Sequence, residues 1–102
     1  MALQIEGYTV FLVKCADGSY YSGMCKNLDK KVVEINNRLE GYFMSRPQLV
    51  PVTVVFQDDQ VPFLEAYAKH RHLRSMTKRH RERLIKTSKW PKSKGIGKYL
   101  ER

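Results

Sequence analysis

The sequence predicts a small α+β domain. Three observations carry that reading: an Asp-Gly turn between two runs of strand-forming residues, an apolar stripe at helical spacing directly after them, and a basic C-terminal third with its own helix-start signal. At 102 residues the chain is one domain able to bury a single modest core. Hydrophobic residues at 42% and aromatics at 11% belong to a folded protein rather than a disordered one.

Met1 to Gly7 is a lead-in without a structural signal. Tyr8-Thr9-Val10-Phe11-Leu12-Val13-Lys14 is β-branched and aromatic, the composition of a strand. Asp17-Gly18 then supplies the positive φ angles of a tight primed turn, and residues 19–24 return as the second strand of a hairpin. Asn27 caps a helix reaching about Arg38, with Leu28, Val32, Ile35 and Leu39 as its buried stripe. Lys31 lies three residues after Leu28 and four before Ile35, on or beside the buried side.

Glu40 to Pro51 reads as a loop, punctuated by Gly41, Pro47 and Pro51, and Val52 to Phe56 as a short, central third strand. Asp58 and Asp59 end that strand and open a helix over about 61–74, where the acidic pair suits the helix dipole better than a metal. Leu64, Tyr67 and Leu73 form its buried stripe, with His70 on the same side. Thr77 caps a short basic helix from Lys78 to Lys86. From Thr87 the chain becomes a Ser/Lys/Pro/Gly tail, so the domain is placed at 1–86 and a basic tail at 87–102. Trp90 is expected to pack back onto the domain, with base stacking as the functional alternative.

The net charge of +9 is unevenly placed. Residues 1–65 hold six Lys/Arg against eight Asp/Glu, whereas residues 66–102 hold thirteen against two. A cationic surface of that kind suits a polyanion, because neutralised phosphates release counterions; the plain alternative is a solvated helix face. Arg71, Arg74, Lys78, Arg79, Arg81, Lys86 and Lys89, with Lys31, are the expected nucleic-acid contacts. Cys15 and Cys25 flank the hairpin without a recognisable signal peptide before them, which favours free thiols in a reducing compartment. No apolar run approaches the roughly 18–20 residues of a membrane span. The expected location is intracellular, cytoplasmic or nucleoid-associated, with no membrane partner.

Hairpin, helix, strand and basic helix, in this order and spacing over residues 8–86, resemble the GIY-YIG nuclease domain, and within it the small UPF0213-like bacterial members. The resemblance implies a central three-stranded antiparallel sheet flanked by helices. It aligns Thr9-Val10-Phe11 with the first family motif and Tyr21-Ser22-Gly23 with the second. Tyr21 then matches the second catalytic tyrosine, while Phe11 stands in place of the first, Lys31 in place of the phosphate-binding arginine and His70 in place of the metal-binding glutamate.

Each substitution removes a part of the chemistry. Phe11 keeps a ring but cannot transfer a proton, and Lys31 keeps a charge but loses the bidentate fork. An imidazole at position 70 suits Zn²⁺, Ni²⁺ or Cu²⁺ rather than Mg²⁺, which wants hard oxygen ligands. Losing one general acid or base costs about 10²–10⁴ in rate, so efficient Mg²⁺-dependent cleavage is not expected. His70, His72 and His80 do not make a metal site at ligand spacing, and Glu65, five residues before His70, sits more than a turn away.

The reading is therefore a nucleic-acid-binding degenerate domain with impaired or absent nuclease activity, no cofactor, and DNA ahead of RNA as partner. The alternatives are an active endonuclease using a divalent metal, Mg²⁺ or a transition metal held at His70, and a structural subunit of a protein or nucleoprotein complex.

Overall fold

The computed structural model describes residues 7–90. Three strands, β1 (Tyr8–Lys14), β2 (Tyr20–Cys25) and β3 (Thr53–Val61), form one antiparallel sheet in the order β2-β1-β3. Three helices, α1 (Leu28–Asn36), α2 (Phe63–Ser75) and α3 (Lys78–Thr87), flank it. The α+β class and the three-stranded sheet thus stand as the sequence implied.

The hairpin closes through Ala16-Asp17-Gly18. The Gly18 N–H donates to the Cys15 carbonyl at 2.9 Å and the Cys15 N–H to Ser19 O at 2.7 Å. Within this turn only Gly18 has a positive φ, +91°, so the connection is a three-residue loop with a glycine bulge rather than the primed two-residue turn the Asp-Gly pair suggests. Asp17 stiffens it by accepting from the Ser19 N–H at 2.9 Å and the Ser19 hydroxyl at 2.6 Å.

β1, and not β3, is the central strand. Residues Thr9 to Val13 are all buried, the signature of a strand covered on both faces, while β3 shows an interrupted pattern proper to an edge. Val10 and Leu12 face a core with Phe56, Ala66, Leu73 and Leu84 under α2 and α3. Phe11 and Val13 face a second core with Ile35, Phe43, Leu49 and Val52 under α1 and the loop. That loop holds two single 3₁₀ turns, Gly41–Phe43 and Pro47–Leu49, and a cis Val50–Pro51 bond. Cys15 is buried, Cys25 half-buried, and both are free thiols.

Asn27 and Thr77 cap their helices as expected, accepting from the Lys30 and His80 N–H groups. α1 ends earlier than its apolar stripe, and Leu39 is exposed because Arg38 adopts φ +58° and turns the chain away. Asp58 and Asp59 belong to β3 rather than to a helix start. Pro62 sits at the N-cap of α2.

The buried face of α2 is Ala66, Lys69 and Leu73; Leu64 and Tyr67 point to solvent. Lys69 is buried because its charge is matched. Its Nζ lies 2.7 Å from Asp58 Oδ2 and 3.1 Å from Glu65 Oε2, and 5.2 Å above the Trp90 ring. Trp90 donates from Nε1 to the same Asp58 oxygen at 2.9 Å and packs edge-on against Phe56. Trp90 therefore belongs to the folded body, α3 runs one residue past the expected boundary, and the rest of the basic tail, 91–102, lies outside the described residues.

Removing Asp58 leaves the buried Lys69 with Glu65 alone and the Trp90 Nε1–H without its acceptor, at a combined cost of about 3 kcal/mol. Asp58→Ala is expected to lower the thermal midpoint by on the order of 10 °C in a domain of this size. Lys69→Met should be milder, since it removes the charge that needs matching; calorimetry of both variants checks the order.

Candidate functional site

A depression of about 380 Å³ wraps the outer edge of β2, lined by Tyr20, Tyr21 and Ser22 of that strand, Tyr42 of the loop, His70 and Arg74 of α2 and Arg81 of α3. It draws on both faces of the sheet because β2 is an edge strand: Tyr21 turns toward the α1 core and Tyr20 toward the α2 core. Tyr21 is fixed by stacking on Tyr42, ring centroids 5.0 Å apart, and by edge contact with Phe43 at 4.9 Å.

Of the four positions the resemblance singles out, Tyr21 and His70 meet at this depression. Phe11 lies beneath it, 1% exposed, with its ring 6.5 Å from that of Tyr21. Gly23 is its cross-strand partner, and a Cβ there would sit 2.6 Å from Phe11 Cζ, so this ring requires a glycine opposite it. Lys31 stands to the side, its Nζ 3.0 Å from Glu40 Oε2 and 3.8 Å from Glu34 Oε1. Sequence spacing placed Lys31 near the buried side but gave no hint of Glu40, which comes from the loop after α1.

The groups at the site are tuned toward neutrality. Burial pushes the Tyr21 phenol up, and nearby Glu40 adds to it, so Tyr21 stays protonated and is a hydrogen-bond donor. Burial lowers His70, and the Arg74 charge lowers it further, against the opposing pull of the Ser22 backbone; the imidazole is neutral at pH 7. Lys31 is raised, chiefly by its hydrogen bond to Glu40, so it is charged but already paired.

The remaining positive charge at the depression belongs to the arginines. Arg74 is exposed, and Arg81 is half-buried, donating from Nε to Leu73 O at 3.3 Å and from Nη2 to Arg74 O at 3.4 Å across the end of α2. Arg71, Lys78, Arg79, Lys86 and Lys89 are exposed, and Arg79 and Lys86 line a separate surface depression of α3 with Glu82 and Arg83. Tyr20 and Tyr42 were not singled out by sequence, since neither a strand's second face nor an aperiodic loop signals a lining residue.

The donor set is plain. It offers phenols, a hydroxyl, one neutral imidazole and two guanidinium groups, with no carboxylate among the lining residues. No group of three or more His, Cys, Asp or Glu suited to an ion occurs among the described residues. Glu65, the one carboxylate on the His70 helix considered as a substitute ligand, is turned to Lys69. Such a site can hold an anion and stack rings.

His70 and His72 are both lowered by burial. Below about pH 6.5 the unfolded chain binds protons that the folded one resists, so stability is present above that pH and is lost as pH falls. Urea unfolding at pH 7.5 and 5.5 is expected to give a lower midpoint at pH 5.5. The difference should shrink in a His70→Gln, His72→Gln variant.

No protein-family model matches the chain. UPF0213 proteins of Staphylococcus aureus strains Mu3, N315 and USA300 are each 32% identical to it over 82 residues, 80% of this chain and 98% of the relative. The solution NMR structure of a UPF0213 protein from Bacillus halodurans superposes with a TM-score of 0.51 over 78% of this chain and 83% of that one, at 21% identity, a likeness of fold. Among the described residues no helix is long and apolar enough to cross a membrane. With a near-complete match to relatives above 30% identity and the same fold in a solved family member, the chain belongs to the UPF0213 family.

Proposed function

We propose that this chain binds nucleic acid, DNA ahead of RNA, as a degenerate GIY-YIG domain whose cleavage is impaired or absent. The observation that carries the reading is the depression at the β2 edge, bordered by Arg74 and Arg81 and free of lining carboxylates, on two helices that also expose Arg71, Lys78, Arg79 and Lys86. Polyanion binding asks for that distribution of charge.

The state of the substituted positions supports the loss of cleavage. Mg²⁺-dependent phosphodiester hydrolysis needs hard oxygen ligands, a proton acceptor near the water and a cation on the phosphate. His70 supplies a nitrogen where a carboxylate oxygen is wanted, and the lining residues do not fit a hard divalent ion. Phe11 has no hydroxyl, and Lys31 is held by two carboxylates.

Binding of a labelled DNA duplex should weaken steeply between 50 and 200 mM salt. Arg71→Ala, Arg74→Ala, Lys78→Ala and Arg79→Ala together should lower affinity by on the order of tenfold or more and flatten the salt slope by about one for each phosphate left without its cation. Affinity indifferent to salt or to these changes counts against the reading. No cleavage is expected of the unaltered protein with Mg²⁺, Mn²⁺, Zn²⁺ or Ni²⁺, while Phe11→Tyr, Lys31→Arg and His70→Glu combined should return some with Mg²⁺. Robust cutting by the unaltered protein that His70→Ala abolishes would instead establish an active enzyme with a transition metal.

A further inference from the structure

Away from the depression, aromatic side chains line one flank of α2. Phe63 and Tyr67, one helical turn apart, stack nearly parallel at 18° with centroids 6.3 Å apart, and they are 46% and 49% exposed. Tyr8 at the start of β1 meets Phe63 edge-on at 5.5 Å. A cation closes each end: Lys26 Nζ lies 5.5 Å from the Tyr8 ring and the Arg71 guanidinium 5.8 Å from the Tyr67 ring. Arg74, one turn farther along, lines the depression itself. From Phe63 to Arg74 the stripe runs about 16 Å along the helix.

Large half-exposed rings at successive turns cost solvation and are not needed for the core, which α2 serves with Ala66, Lys69 and Leu73. Their chemistry suits a flat, weakly polar, π-bearing ligand, and the flanking cations suit one carrying phosphates on either side of it. A duplex hides its base faces in its own stack, and phosphates alone would need only the cations. Unpaired nucleotides present both features together.

We propose that Phe63 and Tyr67 form a stacking platform for the unpaired bases of a single-stranded segment, with Arg71 and Arg74 taking its phosphates and leading the strand to the depression at the β2 edge. This rests on the nucleic-acid-binding reading above and names the form of nucleic acid it takes. The stripe adds a sequence-tolerant contact to the cationic face, so single strands and duplexes with a single-stranded tail are held more tightly than a blunt duplex.

The test uses the full chain with four labelled probes: a homothymidine DNA strand, a homouridine RNA strand, an abasic strand of the same length and a blunt duplex. Each base removed from a ring costs about 5- to 100-fold in affinity. Tyr67→Ala should lower affinity for the homothymidine strand within that range while leaving the duplex within about twofold, and the abasic strand, which loses the stack on both rings, should bind the unaltered protein at least as weakly as the homothymidine strand binds the variant. Tyr67→Trp should retain tight binding, which separates stacking from a structural role, and Phe63→Leu reports whether the neighbouring ring contributes. The homouridine arm separates RNA from DNA as the source of the strand.

Equal losses on duplex and single strand, or none on either, would overturn the platform. So would Tyr67→Ala abolishing binding to anionic phosphatidylserine vesicles while sparing the strand. If the unaltered protein binds duplex in a salt-dependent way but shows no preference for unpaired strands, the platform fails and the basic-face reading stands. If it binds none of the probes at low salt, both fail.

Discussion

The Lys69 ammonium sits among groups drawn from three parts of the chain: Asp58 of β3, Glu65 one turn back on α2, and the Trp90 ring just beyond α3. A buried cation is tolerated only where its partners are fixed, and fixing them fixes the rotation of α2 about its own axis. With Ala66, Lys69 and Leu73 turned inward, Phe63, Tyr67, Arg71 and Arg74 are left on an outer flank and His70 at the border with β2. Turning the helix to bury Tyr67, as its apolar periodicity suggests, would rotate the arginines and the histidine with it. The outward chemistry of this helix follows from one inward charge.

The sheet adds a second constraint. Because β1 is buried on both faces, β2 is left at an edge, and only an edge strand can bring Tyr20 and Tyr21, from opposite faces, to a common opening. The opening is then completed by elements distant in sequence: a loop tyrosine on one side, α2 and α3 on the other. Its electrostatics divide in the same way. On the α1 side the positive charge of Lys31 is balanced by Glu34 and Glu40, and on the α2 side Arg74 and Arg81 are not faced by a lining carboxylate.

Local signals survived well from sequence to structure. Asn27 and Thr77 cap where their side-chain chemistry says they should, and the Tyr8 to Lys14 run is a strand for the reason its composition gives. Signals that depend on distant partners did not. The burial of Lys69 is invisible without Asp58 opposite it, and Asp58 itself reads as a helix-start residue until β3 is seen to run on to Val61. Exposed apolar side chains defeat the periodicity argument, since Tyr67 and Leu64 count as apolar wherever they point. Of the residues lining the depression, the resemblance pointed to Tyr21 and His70, whereas Tyr42 comes from a loop whose 3₁₀ turns carry no pattern.

The pairing of Lys31 with Glu40 changes what that corner of the protein is. A lone lysine would draw any phosphate toward it, but a lysine holding a carboxylate at 3.0 Å acts as an ion-exchange position: an incoming anion must displace one already bound. The exchange adds little net attraction, and its outcome turns on geometry and hydration more than on charge. The displaced Glu40 lies on the loop that also carries Tyr42 and Phe43, the two rings that hold Tyr21. Glu40 immediately precedes the 3₁₀ turn that carries Tyr42 and Phe43, so the Lys31–Glu40 pair ties α1 to the two rings that set the tyrosine.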